Sequence, residues 1–167
     1  MDAIFDISAV VAVLATLMVI TQPTAVHALL YLIVSLLAVA LVFFVLGAPF
    51  AAALEVIIYA GAIMVLFVFV IMMLNLGEDA AKLESSWLQP AAWIGPAILA
   101  ALLGGELAYL ASTGGLTRPA GTVVSAQAVG VALVGPYMLA VEVASFLLLA
   151  GLVGAFHLGR SMQSKME

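Results

Sequence analysis

No cysteine occurs anywhere in the 167 residues. A disulfide framework is therefore excluded, and so is thiolate ligation of zinc or of an iron–sulfur cluster by this chain. Charge is nearly as scarce, with four Lys or Arg and nine Asp or Glu making up 8% of the residues and giving a net charge of -5. The acids are scattered and no basic patch is present, so a polynucleotide partner is not expected. The two histidines, His27 and His157, stand far apart without an acid at ligand spacing, and no metal site can be read from them. A hydrolytic nucleophile with its base is missing as well.

What fills the chain is hydrocarbon: 67% of the residues are hydrophobic and the mean hydropathy is +1.36. A water-soluble domain cannot hide that much apolar surface, which makes this an integral membrane protein. A crossing takes roughly 20 residues, so about five helices fit and almost nothing remains for an extramembrane domain. The expected fold is all-α, a single membrane domain over 1–167 with five transmembrane helices, and a site for a nucleotide or other large cofactor is not expected. A cleaved signal peptide is not expected either. The opening Met1-Asp2-Ala3-Ile4-Phe5-Asp6 lacks a basic n-region and runs straight into an apolar stretch.

Breakers divide the chain. The first span, 3–21, ends at Thr21-Gln22-Pro23-Thr24, where proline stops the helix. The second, 26–46, closes at Gly47-Ala48-Pro49, and the third, 50–76, follows at once. Such short turns require the first three spans to pack as a sequential antiparallel bundle. Residues 75–90 form the main polar loop, with Glu78, Asp79, Lys82, Glu84, Ser85 and Ser86. Trp87 and Trp93 flank its exit as interfacial indoles before a fourth span at 92–110. A second loop at 111–122 is rich in Gly, Thr and Ser. Residues 125–134 are too short to cross and form either a surface-lying lead-in or the first part of span five. Gly135-Pro136 marks the join to that last span, 137–158. No internal repeat is visible, which weighs against a self-contained transporter built from duplicated halves.

Orientation rests on few charges. Five spans place Lys82, Arg160 and Lys165 on one side and Arg118 alone on the other, so the shared side is expected to be cytoplasmic. The N-terminus is then outside and the C-terminus inside. On this topology Glu55, Glu106 and Glu142 all belong to the outer half of the membrane.

Glu55 is the sharpest candidate, because an ionisable group in hydrocarbon costs at least ~2.5 kcal/mol and must face protein or water. Tyr59, four residues on, lies one turn along the same face of a regular helix, where its hydroxyl could bond the carboxyl directly or through water. A proton or water path and a mere packing role both fit this pair. The same two readings stand for Glu142, set among small residues in Ala140-Val141-Glu142-Val143-Ala144-Ser145. Glu106, after Gly104-Gly105 and near a loop, is expected simply to reach interfacial water. Ala60-Gly61-Ala62 either lets another helix approach closely or hosts a π-bulge or reversible kink. His27 reads as an ordinary interfacial histidine, and His157 as a favourable charge at a helix C-terminus. Phe67, Phe69, Met72 and Met73 read as a lipid-facing or helix-packing surface.

Three segments carry a resemblance: Val26-His27-Ala28-Leu29-Leu30-Tyr31-Leu32, the run from Leu54 to Phe69 that contains Glu-Val-Ile-Ile-Tyr-Ala-Gly-Ala-Ile, and Gly135-Pro136-Tyr137 leading to Glu142. They resemble the subunit J family of bacterial NADH-quinone oxidoreductase, respiratory complex I, whose mitochondrial counterpart is subunit six. The resemblance covers nearly the whole chain and departs from the family in the loops at 78–87 and 114–123 and in the C-terminal tail. It implies a subunit of the bacterial plasma (inner) membrane with no redox centre of its own, while FMN, iron–sulfur clusters and quinone belong to partner subunits. The implied partners are a quinone-site subunit, a small acid-bearing neighbour, antiporter-like subunits and membrane lipid. It further implies a third span that switches between regular helix and π-bulge over Tyr59, Gly61 and Val65. Glu55 and Tyr59 would stand beside the chain of membrane acids that links quinone chemistry to proton pumping, with Glu142 the third candidate. The same role in a complex fed by another electron donor, a self-sufficient small proton channel and a purely structural scaffold are the alternatives.

Overall fold

The computed structural model describes residues 2–74, 90–114 and 123–163, with the backbone alone described for 74, 90–92 and 160–163. Among them there is no strand. The elements are α1 (Asp2–Thr21), α2 (Ala25–Val45), α3 (Pro49–Leu54), a π-helix (Glu55–Ile63), α4 (Met64–Leu74), α5 (Pro90–Ser112), α6 (Ala126–Val134) and α7 (Met138–Gln163). Five stretches are long and apolar enough to cross a membrane: Asp2–Thr21, Ala25–Val45, Pro49–Met73, Trp93–Ser112 and Met138–Gly159. The all-α, five-span expectation is met, with helix ends displaced by a few residues. The loop at 75–89, including Trp87, the loop at 115–122 and the tail at 164–167 lie outside the described residues. By contacts the chain falls into two units, 1–124 and 125–167.

In the first unit the connections are as tight as their breakers require. After α2, Gly47 takes φ 84, a left-handed conformation that glycine alone adopts without a Cβ penalty. Its N–H donates to the Phe44 carbonyl at 3.0 Å and the Ala48 N–H to the Phe43 carbonyl at 2.9 Å. This pair of bonds closes a Schellman turn, and Pro49 then opens α3 at a position where its missing N–H costs nothing. The Gly47 carbonyl in turn accepts from the Val124 N–H at 2.8 Å, which ties the end of the second loop to the entrance of span three.

The core lies between α1, α2 and α5. Val11 and Ala15, Val34 and Ala38, and Leu103 form one buried cluster; Ile4, Val45 and Leu110 form a second. Ala15 and Ala38 are fully enclosed, and small side chains at a helix crossing let the backbones approach where lipid supplies no hydrophobic drive. Hydroxyls add polar contacts at the α1–α2 crossing. Thr16 Oγ1 and Ser35 Oγ are 2.8 Å apart, and the Ala12 carbonyl lies 2.8 Å from the first and 3.2 Å from the second. The hydroxyl end of Tyr31 of α2 abuts Gly95 of α5, so close that a Cβ at position 95 would overlap the phenol.

In the second unit, α6 is a separate short helix. Ser125 caps it, its hydroxyl accepting from the Ala128 N–H at 3.1 Å. Gly135 and Pro136 lie in the turn that ends it, where the Tyr137 N–H bonds the Ala132 carbonyl at 3.0 Å, and α7 begins one residue later. The break falls where Gly-Pro placed it, and α6 is not continuous with the last span.

Candidate functional site

Span three is built from three pieces of one continuous helix, α3, the π-helix and α4. The wide register starts at Glu55 and holds for nine residues, EVIIYAGAI in sequence. At its far end the Met64 N–H reaches back five residues to the Tyr59 carbonyl as well as three to Gly61. π geometry of this length is rare and recurs at functional positions, because the regular i→i+4 ladder is the more stable arrangement. Ala60, Gly61 and Ala62 occupy its second half. A Cβ added at Gly61 would stand 3.1 Å from the Val56 carbonyl oxygen, five residues back. That is tighter than an ordinary carbon–oxygen contact, and it involves backbone, which yields less readily than the tip of a side chain. Glycine at 61 avoids that contact in the wide register.

The expected bulge was centred on Tyr59 to Val65. The observed π-helix begins four residues earlier and ends two residues earlier, so Tyr59 and Gly61 lie within it and Val65 lies in α4. No hydrogen bond joins Glu55 to Tyr59 among the described residues. Glu55 is half-buried and Tyr59 is 51% exposed. Neither has a hydrogen-bond or ionic partner among the described residues of this chain.

An apolar cleft of about 510 Å³ runs beside the head of this segment, lined among others by Leu41, Phe44, Ala52, Val56, Gly104 and Leu107. Val56 follows Glu55, and Gly104 and Leu107 bracket Glu106. Both acids thus have sequence neighbours in the wall of the cleft.

Glu106 departs from expectation. It does not reach interfacial water: it is 8% exposed, turned towards α1, and its Oε2 accepts a hydrogen bond from Ser8 Oγ at 2.7 Å. The signal was present in the spacing, since Leu103, Glu106 and Leu110 repeat at three and four residues and share one face of α5. His27, expected at an interface, is likewise buried, its Nδ1 held by the Thr24 hydroxyl and its Nε2 enclosed without a partner among the described residues. In the second unit Glu142 and His157 are exposed on α7, and the Glu142 backbone carbonyl accepts from Ser145 Oγ at 2.7 Å. Phe67, Phe69, Met72 and Met73 are exposed on α4, as a lipid or partner surface requires. No group of three or more His, Asp or Glu that could hold a metal occurs among the described residues.

Residues 15–158 match the family model described as NADH-ubiquinone/plastoquinone oxidoreductase chain 6. The chain belongs to that family. It is 59% identical over 160 residues to NADH-quinone oxidoreductase subunit J of Escherichia coli K12, covering 96% of this chain and 87% of that one. With the subunit J of Pseudomonas aeruginosa it shares 60% over 161 residues, 96% and 97% of the two chains. With that of Buchnera aphidicola from Baizongia pistaciae it shares 37% over 161 residues, 96% and 98%. As a member of the chain 6 family it is a multi-pass membrane subunit of an NADH-quinone oxidoreductase complex, and it functions as a non-catalytic part of that enzyme.

Proposed function

We propose that this chain 6 subunit helps couple quinone reduction to proton translocation through its third span. The observation that carries the reading is the coincidence of three features: the span's only acid, Glu55, opens the π-helix; Gly61 suits the π register; and the acid has no partner among the described residues. A membrane acid without an internal partner is answered by water or by a neighbouring subunit. Converting one wide turn to a regular one changes the register by one residue, a rotation of about 100° and a shift of about 1.5 Å along the axis. Everything beyond Gly61 would turn relative to Glu55. Such a motion can make or break a water contact at the acid without any redox group in this chain.

On this reading the subunit lies in the bacterial plasma membrane with its N-terminus outside and its C-terminus cytoplasmic. Its neighbours are a quinone-site subunit, a small acid-bearing subunit and antiporter-like subunits, and NADH is the donor. FMN, the iron–sulfur clusters and quinone are held by partners; a chain without cysteine offers no thiolate to a cluster. Tyr59 and Glu142 join Glu55 as proton-path residues, and Tyr59, Gly61 and Val65 mark the moving stretch.

Glu55→Gln in the assembled complex tests this. The amide keeps the volume but cannot exchange a proton. Assembly at wild-type level with fewer protons moved per electron, or with quinone reduction slowed together with pumping, is expected. Unchanged assembly, electron transfer and proton yield would leave the span a structural scaffold.

A further inference from the structure

Ser8 and Glu106 meet in a seam otherwise made of hydrocarbon. The buried positions of α1 are Ile4, Ser8, Val11 and Ala15, a stripe at spacings of four, three and four. Facing it on α5 are Leu103, Glu106 and Leu110. The carboxyl therefore sits between the two apolar clusters that hold the bundle together. Ser8 is fully enclosed and donates to Oε2. Oε1 is enclosed as well and has no hydrogen-bond partner among the described residues. No Lys, Arg or His pairs with this carboxyl among the described residues.

An ionised carboxylate presents roughly four acceptor sites, and a single serine hydroxyl answers one of them. Leaving the rest of a full charge uncompensated in an apolar seam costs several kcal/mol. A proton on Oε1 removes the charge and leaves the Ser8 bond on Oε2 intact. A glutamine would make the same bond but would place an amide nitrogen with two unanswered donors where Oε1 lies. A carboxyl with Oε2 bonded and Oε1 enclosed without a partner among the described residues suits a group that takes up a single proton at Oε1.

We propose that Ser8 and Glu106 form an internal proton-binding site of the bundle, separate from Glu55, with Oε1 as the exchanging atom and water as the carrier. In the binding step a hydronium ion gives its proton to Oε1. One O–H bond of the hydronium breaks, one forms on Glu106, and a neutral water is left; release is the reverse. Ser8 is a positioning residue that fixes Oε2 and so determines which oxygen exchanges. The site does not depend on the register of span three.

Infrared difference spectra of the assembled complex in native membranes test this. Spectra of the oxidised enzyme and of the enzyme reduced with NADH and quinone are taken in H2O and in D2O, for the wild type, Glu106→Gln and Ser8→Ala. The expected result is a carboxylic-acid C=O band that shifts in D2O, is lost in Glu106→Gln, and moves to higher frequency in Ser8→Ala, where the bond to Oε2 is gone. Absence of any such band in both redox states, or a band insensitive to D2O, would overturn the site. Should Glu106→Gln fail to assemble, Ser8→Ala decides alone: an exchangeable band displaced relative to wild type supports the site, and superimposable spectra refute it. Because the band belongs to Glu106, this outcome is independent of whether Glu55 or the π-helix takes part in coupling.

Discussion

Gly61→Ala is the smallest change that bears on span three. The intrinsic preference of alanine over glycine for helix, about 0.5–1 kcal/mol, is largely common to the wide and the regular registers and cancels between them. What does not cancel is the contact. In the π register the new methyl would stand 3.1 Å from the Val56 carbonyl, and that oxygen must retreat by a few tenths of an ångström. Overpacking by one methyl of this kind costs about 1 kcal/mol, at the low end of measured core insertions. One kcal/mol is roughly a fivefold change in the ratio of two states. Gly61→Ala should therefore shift span three towards the regular helix by about fivefold while leaving assembly intact. Gly61→Val, bulkier and stiff at χ1, should shift it further and also reduce assembly. The assay measures assembled complex, NADH-driven quinone reduction and proton uptake in the same vesicles. A fall in protons per electron, or a joint slowing of reduction and pumping at constant assembly, is expected for the alanine variant. If alanine leaves all three unchanged and valine lowers activity only in proportion to assembly, Gly61 is a packing residue and the register argument is wrong.

Two further substitutions test the scaffold around that span. Gly95→Ala should lower the thermal stability of the complex by about 1–3 kcal/mol, because its methyl overlaps the Tyr31 phenol, and Tyr31→Phe should partly rescue it by removing the nearest atom. A stability scan of the single and double variants in detergent checks this; no coupling between the two would contradict the contact. Ser125→Ala should destabilise α6 by about 0.5–2 kcal/mol through loss of its cap on the Ala128 N–H, seen as faster amide exchange over 126–134, whereas Ser125→Asp should preserve it.

Much of the fold could be read from punctuation. Pro23, Gly47-Ala48-Pro49 and Gly135-Pro136 each end or begin a helix for stated backbone reasons, and the apolar runs between them have the length of a membrane crossing. Glu55 and Gly61 could also be singled out, one by its cost in hydrocarbon and the other by its setting. The exact extent of the π-helix could not, since residues 56–74 are apolar apart from Tyr59 and nothing in them but Gly61 distinguishes one hydrogen-bond register from another. Glu106 differs from the expectation for another reason: it is near a loop in sequence, but the helix turns its 103, 106 and 110 face onto α1, and burial follows the face rather than the distance from the end.

The coupling role is tested most directly by resolving span three in the assembled complex in two conditions, oxidised at rest and turning over with NADH and quinone, and reading the partner of the Met64 N–H. At rest it should reach the Tyr59 carbonyl, five residues back, as here. In a substantial share of complexes under turnover it should instead bond the Ala60 carbonyl, four residues back, with the side chains on one side of the former π-helix rotated relative to Glu55. A Met64–Tyr59 bond that persists unchanged in every resolved state, while the enzyme pumps protons, would contradict a moving third span.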